Sequence, residues 1–233
     1  MLFQKITPTL FGFLYPHICV VCSREIRHPE KTICLHCKHD LSPFQAENPV
    51  ENPIAQLFWG KVHLNDADAC FNYIKGEKLQ ELIHQLKYKG QRKHRFFLGE
   101  VLAQKIPQLV NADSIDLLCP VPSTRIKTKK RGYNQAEELT KACATNTGIP
   151  YLSLLVKKQE KGSQTTKNVH DRHQELDSSF ALNPIIRADL TGKHILLIDD
   201  VITSGATFCA CAKQLTTIPN VTISVLALAY RNI

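Results

Sequence analysis

Large aromatic side chains are scarce in this chain of 233 residues, with one tryptophan and 7% aromatics overall. A platform that stacks the successive bases of a single strand needs more than that. No apolar run approaches the roughly 20 residues that cross a bilayer, so no membrane span is expected. Two nucleotide signatures are missing: there is no GxxxxGK[ST], and no two glycines are spaced as GxG to turn a dinucleotide loop. The apolar patch from Leu10 to Leu14 lies between Pro8 and Pro16, and no A-x-A site follows it. It reads as a short segment docked on the body and not as a secretory leader.

What remains is an ordinary globular composition, 43% apolar and 21% charged, with a formal charge of +8. That is enough chain for one α/β core and a small appendage. The positive balance favours anionic partners, nucleic acid or a phosphorylated sugar among them. Nine cysteines without a leader point to a reducing, cytoplasmic setting, where paired cysteines more often mean metal than disulfide.

The pairing is visible at the front. Cys19 and Cys22 make one CxxC, Cys34 and Cys37 another, and eleven residues separate them. Four thiolates complete a closed tetrahedral site, so the segment reads as a structural zinc knuckle or ribbon. A redox dithiol is the other reading of either CxxC taken alone. His17, His36 and His39 lie near enough in sequence to replace a ligand, although solvated or supporting roles suit them better. Cys70, Cys119, Cys143, Cys209 and Cys211 are scattered among apolar neighbours and are expected to be small buried hydrophobes.

The densest chemistry lies at Ile195 to Thr207, ILLIDDVITSGAT. Ile195 to Ile198 suit a central parallel strand buried on both faces, while Phe208, Ala212 and Leu215 recur at helical spacing. The turn between them therefore opens at the carboxyl end of a strand, where open α/β sheets bind ligands. Ser204, Gly205, Ala206 and Thr207 would offer backbone N–H groups at a helix start, a setting for phosphate. Asp199 and Asp200 just upstream suit ribose hydroxyls or a hydrated Mg²⁺.

Between these two regions, Ser42 to Asn65 turns to Pro, Asn and acidic residues around a lone cluster, Leu57, Phe58 and Trp59, and is expected to be a linker with an anchor. Ala69 to Ile74 reads as a strand. Leu79, Leu82, Ile83 and Leu86 then predict a helix ending near Gly90, and Phe97, Leu98, Val101 and Leu102 a second one stopped by Pro107. A basic loop is expected between them, with Lys87, Lys89, Arg92, Lys93 and Arg95 around Tyr88. Further on, Ile115 to Cys119 reads as a strand whose pairing Pro120 and Pro122 stop. A basic loop from Ser123 to Gly132 and a helix with Ala136, Leu139 and Cys143 on one face should follow. The two strand, loop, helix units should leave the same edge of one parallel sheet.

Ile195 to Thr207 resembles the phosphoribosyl pyrophosphate (PRPP) signature of type I phosphoribosyltransferases. Together with the Cys₄ segment, LKYKG at Leu86 to Gly90, PVP, and RGYNQ at Arg131 to Gln135, it resembles the ComF family, phosphoribosyltransferase-like proteins linked to DNA uptake in natural competence. The resemblance implies an α/β fold of the type I phosphoribosyltransferase kind, a parallel sheet flanked by helices. It implies a Cys₄ zinc module over 1–45, a linker over 46–65 and the phosphoribosyltransferase-like domain over 66–233. PRPP, with Mg²⁺, would lie on Asp199, Asp200 and Thr203 to Thr207, with its pyrophosphate on Ser123, Arg125 and Arg131. Ser163 to Phe180 resembles the family's active-site loop, where Gln164, Thr165, Arg172 and Phe180 fit and Lys167 and Glu175 depart. Arg172 would join Asp199 and Asp200 as a catalytic group by closing over the pyrophosphate. The implied role is phosphoribosyl transfer to an unknown acceptor in support of DNA uptake, alongside single-stranded DNA or a competence helicase. The alternatives are a PRPP- or nucleotide-sensing protein, a single-stranded-DNA-binding accessory protein, or a nucleobase salvage transferase.

Overall fold

The computed structural model describes residues 17–26, 32–46, 48, 51–88, 92–158, 178–186 and 188–232. Its helices are α1 (Leu35–His39), α2 (Pro53–Gln56), α3 (Lys78–Tyr88), α4 (Arg92–Lys105), α5 (Arg125–Arg131), α6 (Gln135–Thr147) and α7 (Ala206–Leu215). Its strands are β1 (Asp66–Asn72), β2 (Leu117–Pro120), β3 (Leu155–Lys157), β4 (Phe180–Leu182), β5 (His194–Ile202) and β6 (Thr222–Tyr230). Four strands form one parallel sheet in the order β1-β6-β5-β2, and β3 and β4 pair antiparallel beside it.

The sheet is flanked by helices because its central strands are apolar on both sides. Leu196 and Ile198 of β5 join a cluster with Leu82 and Leu86 of α3, Leu98 and Leu102 of α4, and Leu139 and Cys143 of α6. Ile195 and Leu197 alternate to the other face, against Phe208, Cys211 and Leu215 of α7 and Ile54 of α2. All four residues that predict α3 are buried, as are the five scattered cysteines. The apolar cluster on the α4 and α6 side also takes in Cys19, Val20, Val21, Ile26 and Cys37, so the Cys₄ segment packs directly on the helices.

Four local expectations change. The strand that carries the aspartates does not stop with its apolar run: β5 pairs with β6 through Asp199↔Ala227, Val201↔Ala229 and Ile202↔Tyr230. Main-chain ladders accept polar residues, so the turn shrinks to Thr203, Ser204 and Gly205, and Ala206 and Thr207 are already helical. Pro120 does not stop the pairing of β2, for it lies opposite Ile198, and the N–H of Val121 still donates to the Ile198 carbonyl. Leu118 donates to Pro150 on the side away from β5, and Pro120, two residues on, turns its donorless nitrogen to that same side.

The expected loop from Ser123 to Gly132 is a short helix, α5. The hydroxyl of Thr124 accepts from the N–H of Lys127 to start it, and Gly132, with φ +85°, ends it in the left-handed conformation. Likewise α3 runs to Tyr88 and α4 begins at Arg92, so most of the expected basic loop is helix; Lys89 and Gly90 lie outside the described residues. Within the segment expected as a linker, buried Asn52 caps α2 by accepting from Ile54 at 2.9 Å and donates to the Ala67 carbonyl of β1 at 2.7 Å.

Candidate functional site

β2 and β5 are parallel neighbours, with Leu117↔Ile195 through Pro120↔Ile198 in register. Their carboxyl ends therefore deliver α5 and the turn before α7 to one edge of the sheet, as the repeated layout predicts. The Asp200 N–H donates to an Asp199 carboxylate oxygen at 2.8 Å, and both side chains are half-buried. Thr203 is half-buried, Ser204 exposed and Gly205 buried. Gly205 is the N-cap of α7 at φ +70°, and the N-cap position itself supplies no side-chain cap. The first-turn amides of α7 and its positive dipole end thus face the turn that follows the two carboxylates, a setting suited to an anion.

Gly205 is also constrained from outside. A Cβ there would lie 3.1 Å from the Cβ of Leu57 and 3.3 Å from the Phe58 ring. Phe58 is buried and Trp59 is exposed, so the anchor expected in this stretch bears on the turn itself. Sequence reasoning saw the cluster without its target, because nothing local in the sequence couples position 58 to position 205.

On the β2 side, the Ser123 hydroxyl meets that of Thr128 at 2.6 Å, Arg131 donates to Gln135 at 2.6 Å, and Arg125 is exposed. Ser123 and Arg125 line a cavity of about 590 Å³ with Pro120, Asn134, Lys158 and Asn183. Lys127, Lys129 and Lys130 are exposed, with no carboxylate within ion-pair distance among the described residues. Arg172, Gln164, Thr165, Lys167 and Glu175 lie outside the described residues, as do Leu10 to Leu14. Phe180, expected at the end of that loop, opens β4 and is fully buried, with the Lys157 ammonium 5.1 Å from its ring centroid.

The motifs LKYKG and RGYNQ meet in space. The Tyr133 hydroxyl donates to the Leu86 carbonyl, and Arg95 pairs with Glu138 while its guanidinium sits 5.7 Å from the Tyr133 ring centroid. Asn134 donates to the Val121 carbonyl at 3.0 Å, pinning the same turn to β2. Arg95, expected in a basic loop, thus holds α4 to α6. Its pairing with Glu138 was not legible from spacing, because the two are 43 positions apart.

At the other end of the chain, the sulfurs of Cys19, Cys22, Cys34 and Cys37 all lie within 4.8 Å of one another, and Cys22 and Cys34 are 3.8 Å apart. Sulfurs on a tetrahedral zinc at about 2.3 Å would stand about 3.8 Å apart, so the four could hold such an ion. The N–H groups of Cys34 and Cys37 donate to the sulfurs of Cys19 and Cys34 at 3.4 Å each, as expected of acceptor thiolates. Burial opposes ionisation of Cys22, but hydrogen bonds from the Arg24 main chain and the neighbouring thiols pull it down to about 6. Cys37 is driven upward by burial and the same neighbours. One thiolate is easy and four are mutually repelling, the situation that a dication relieves. His17, His36 and His39 are exposed and belong to no described metal-ligand cluster; His36 and His39 stand 3.7 and 3.9 Å from Asp40.

The molecule is thus a parallel α/β protein with a thiolate cluster at its front and an aspartate-bearing, glycine-capped turn at the sheet's carboxyl edge. Among known proteins it is similar to competence protein F of Haemophilus influenzae, 26% identical over 206 residues, 85% of this chain and 83% of that one. It is 30% identical over 148 residues to competence protein ComFC of Streptococcus pneumoniae (63% and 60% of the chains). It is 24% identical over 202 residues to the DNA utilization protein YhgH of Escherichia coli (85% and 83%). These relatives support the ComF family for this chain, as its motifs imply. No family model matches it.

Similar solved structures include phosphoribosyltransferases and a PRPP amidotransferase. The adenine phosphoribosyltransferase of Thermoanaerobacter pseudethanolicus has a TM-score of 0.40 at 14% identity over 67% of this chain and 88% of that one. The glutamine PRPP amidotransferase of B. subtilis has 0.38 at 22% identity over 56% of this chain, which spans only 25% of the amidotransferase. At such scores the case for the site stays with the sheet and its turns.

Proposed function

We propose that this chain binds PRPP with Mg²⁺ at the carboxyl edge of its parallel sheet and serves DNA uptake or utilisation. The observation that carries this reading is the delivery, by adjacent parallel strands, of a carboxylate pair with a glycine-capped helix start and of a basic helix to one edge. Asp199 and Asp200 orient the ribose hydroxyls, Thr203 to Thr207 hold the 5′-phosphate, and Ser123, Arg125 and Arg131 meet the pyrophosphate. Mg²⁺ spreads the pyrophosphate charge when bound. Transfer to an acceptor would then rely on fixed electrostatics, with Arg172 closing over the leaving group.

A second reading, in which the same fold senses PRPP or a nucleotide while contacting single-stranded DNA, is favoured by the exposed lysines of α5, which face no carboxylate among the described residues. Titration calorimetry on zinc-loaded protein separates the two. The first reading expects Mg²⁺-dependent PRPP binding that disappears in Asp199→Asn/Asp200→Asn, with acceptor-dependent pyrophosphate release. The second expects salt-sensitive strand binding weakened by charge removal at Lys127, Lys129 and Lys130. If intact zinc-loaded protein binds no PRPP, the proposed site is wrong.

A further inference from the structure

The same edge carries a cation that no motif singles out. β1, β6 and β5 end level with one another, and two main-chain bonds lock their ends. Tyr73 N–H donates to the Tyr230 carbonyl at 2.7 Å, and Arg231 N–H donates to the Ile202 carbonyl at 2.9 Å. Tyr73, Arg231 and Thr203 are thus the first residues beyond three neighbouring strands, each about 4.8 Å of main chain from the next. Arg231 stands between the aromatic ring and the glycine-capped turn.

Its guanidinium lies 5.7 Å from the Tyr73 ring centroid. Among the described residues no carboxylate pairs with it. That combination is informative. An arginine held by an aromatic face keeps its fork of N–H donors available, whereas one held by a carboxylate spends them. Tyr73 packs against the cluster on the α4 and α6 side, as does Val201 near the end of β5, and β6 and β5 are neighbours in the sheet. The cation is therefore disposed beside the sugar end of the site and across the sheet edge from α5, since β5 separates β6 from β2.

We propose that Arg231, laid on Tyr73, holds the anionic group of a second ligand, a carboxylate or a phosphate, that binds next to the sugar phosphate. This deepens the PRPP reading and rests on it for the neighbour's identity. The anion is the shared chemistry; an organic carboxylate and a phosphate ester are its two sources.

Matched pairs test it: nicotinate against nicotinamide for the carboxylate, and thymidine monophosphate against thymidine for the phosphate. Each is titrated into zinc-loaded protein with and without saturating PRPP and Mg²⁺. The charged member of at least one pair is expected to bind tenfold or more tightly than its neutral partner. That preference should collapse in Arg231→Gln and survive in part in Arg231→Lys, with PRPP affinity changed less than threefold. Equal binding within both pairs overturns the proposal, and so does a preference that persists in Arg231→Gln. A loss of PRPP binding in Arg231→Gln also overturns it, by moving Arg231 into the sugar-phosphate site. Failure of wild-type protein to bind PRPP would sink the PRPP reading alone, because the titrations without PRPP still report on Arg231. Unchanged melting of the two variants excludes misfolding as the cause of a loss.

Discussion

Gly99 sets how closely α4 approaches α6, and replacing it with alanine should separate them. A Cβ built there would lie 2.2 Å from the Ala142 Cβ, 2.8 Å from the Ala142 carbonyl carbon and 2.9 Å from the Cys143 nitrogen. Two of those three atoms are main chain, so no rotamer change relieves the overlap. Overpacking of this kind costs about 1–3 kcal/mol and sometimes more, while glycine to alanine in a helix interior returns about 1 kcal/mol. With overlaps this deep the upper end applies, and Gly99→Ala should lose about 2 kcal/mol net. For a chain of this size that is a fall in melting temperature of roughly 4–8 °C by calorimetry. Ala142→Gly in the same background removes only the side-chain overlap, so it should restore part of the loss and leave the rest. Gly99→Ala melting at or above the wild-type temperature would refute the reasoning, as would complete rescue by Ala142→Gly.

At the candidate site, Gly205→Ala should weaken PRPP binding tenfold or more. It should also destabilise more than Gly132→Ala, because both have positive φ but only position 205 has close neighbours; equal effects would refute the claimed contact with Leu57 and Phe58. Metal analysis after purification without chelator should find about one zinc per chain, and stripping it should lower the melting temperature of the whole protein, because the cysteines share a core with α3 and α4. A separate low-temperature transition that spares the main melt would contradict that sharing. His194 supplies a pH test. Its Nδ1 meets Ser114 at 2.8 Å and its Nε2 meets Ser224 at 2.9 Å; Ser114 donates to the Asn111 carbonyl and Ser224 accepts from Asn65, which assigns the neutral ring with the proton on Nδ1. Burial lowers its pKa although Asp116 opposes this, so its share of stability is complete above about pH 6.5 and is lost as pH falls through the lower folded value. His194→Gln should flatten the fall in melting temperature below that pH, and an unchanged slope would count against the assignment.

Periodicity and spacing carried the fold class, α3, α6, α7 and the Cys₄ cluster, because each depends on a pattern local to the chain. Charge misled where it was taken for loop. Thr124 and Gly132 bracket α5 with a cap and a left-handed stop, signals that five basic residues between Ser123 and Gly132 obscured. The reach of β5 to Ile202 could not be read from its own residues, since the partner that keeps Asp199 and Asp200 in the ladder is β6. Contacts between distant segments were equally hidden, as with Tyr133 on Leu86 and Phe58 on Gly205.

That last contact has a spectroscopic consequence. Trp59 is the chain's single tryptophan, it is 60% exposed, and the residue before it rests on the glycine that caps α7. The scarcity of aromatics therefore leaves an uncrowded emission spectrum with its one indole a residue away from the turn. Filling that turn should change the indole's quenching and emission wavelength, so unlabelled protein in a cuvette reports occupancy directly.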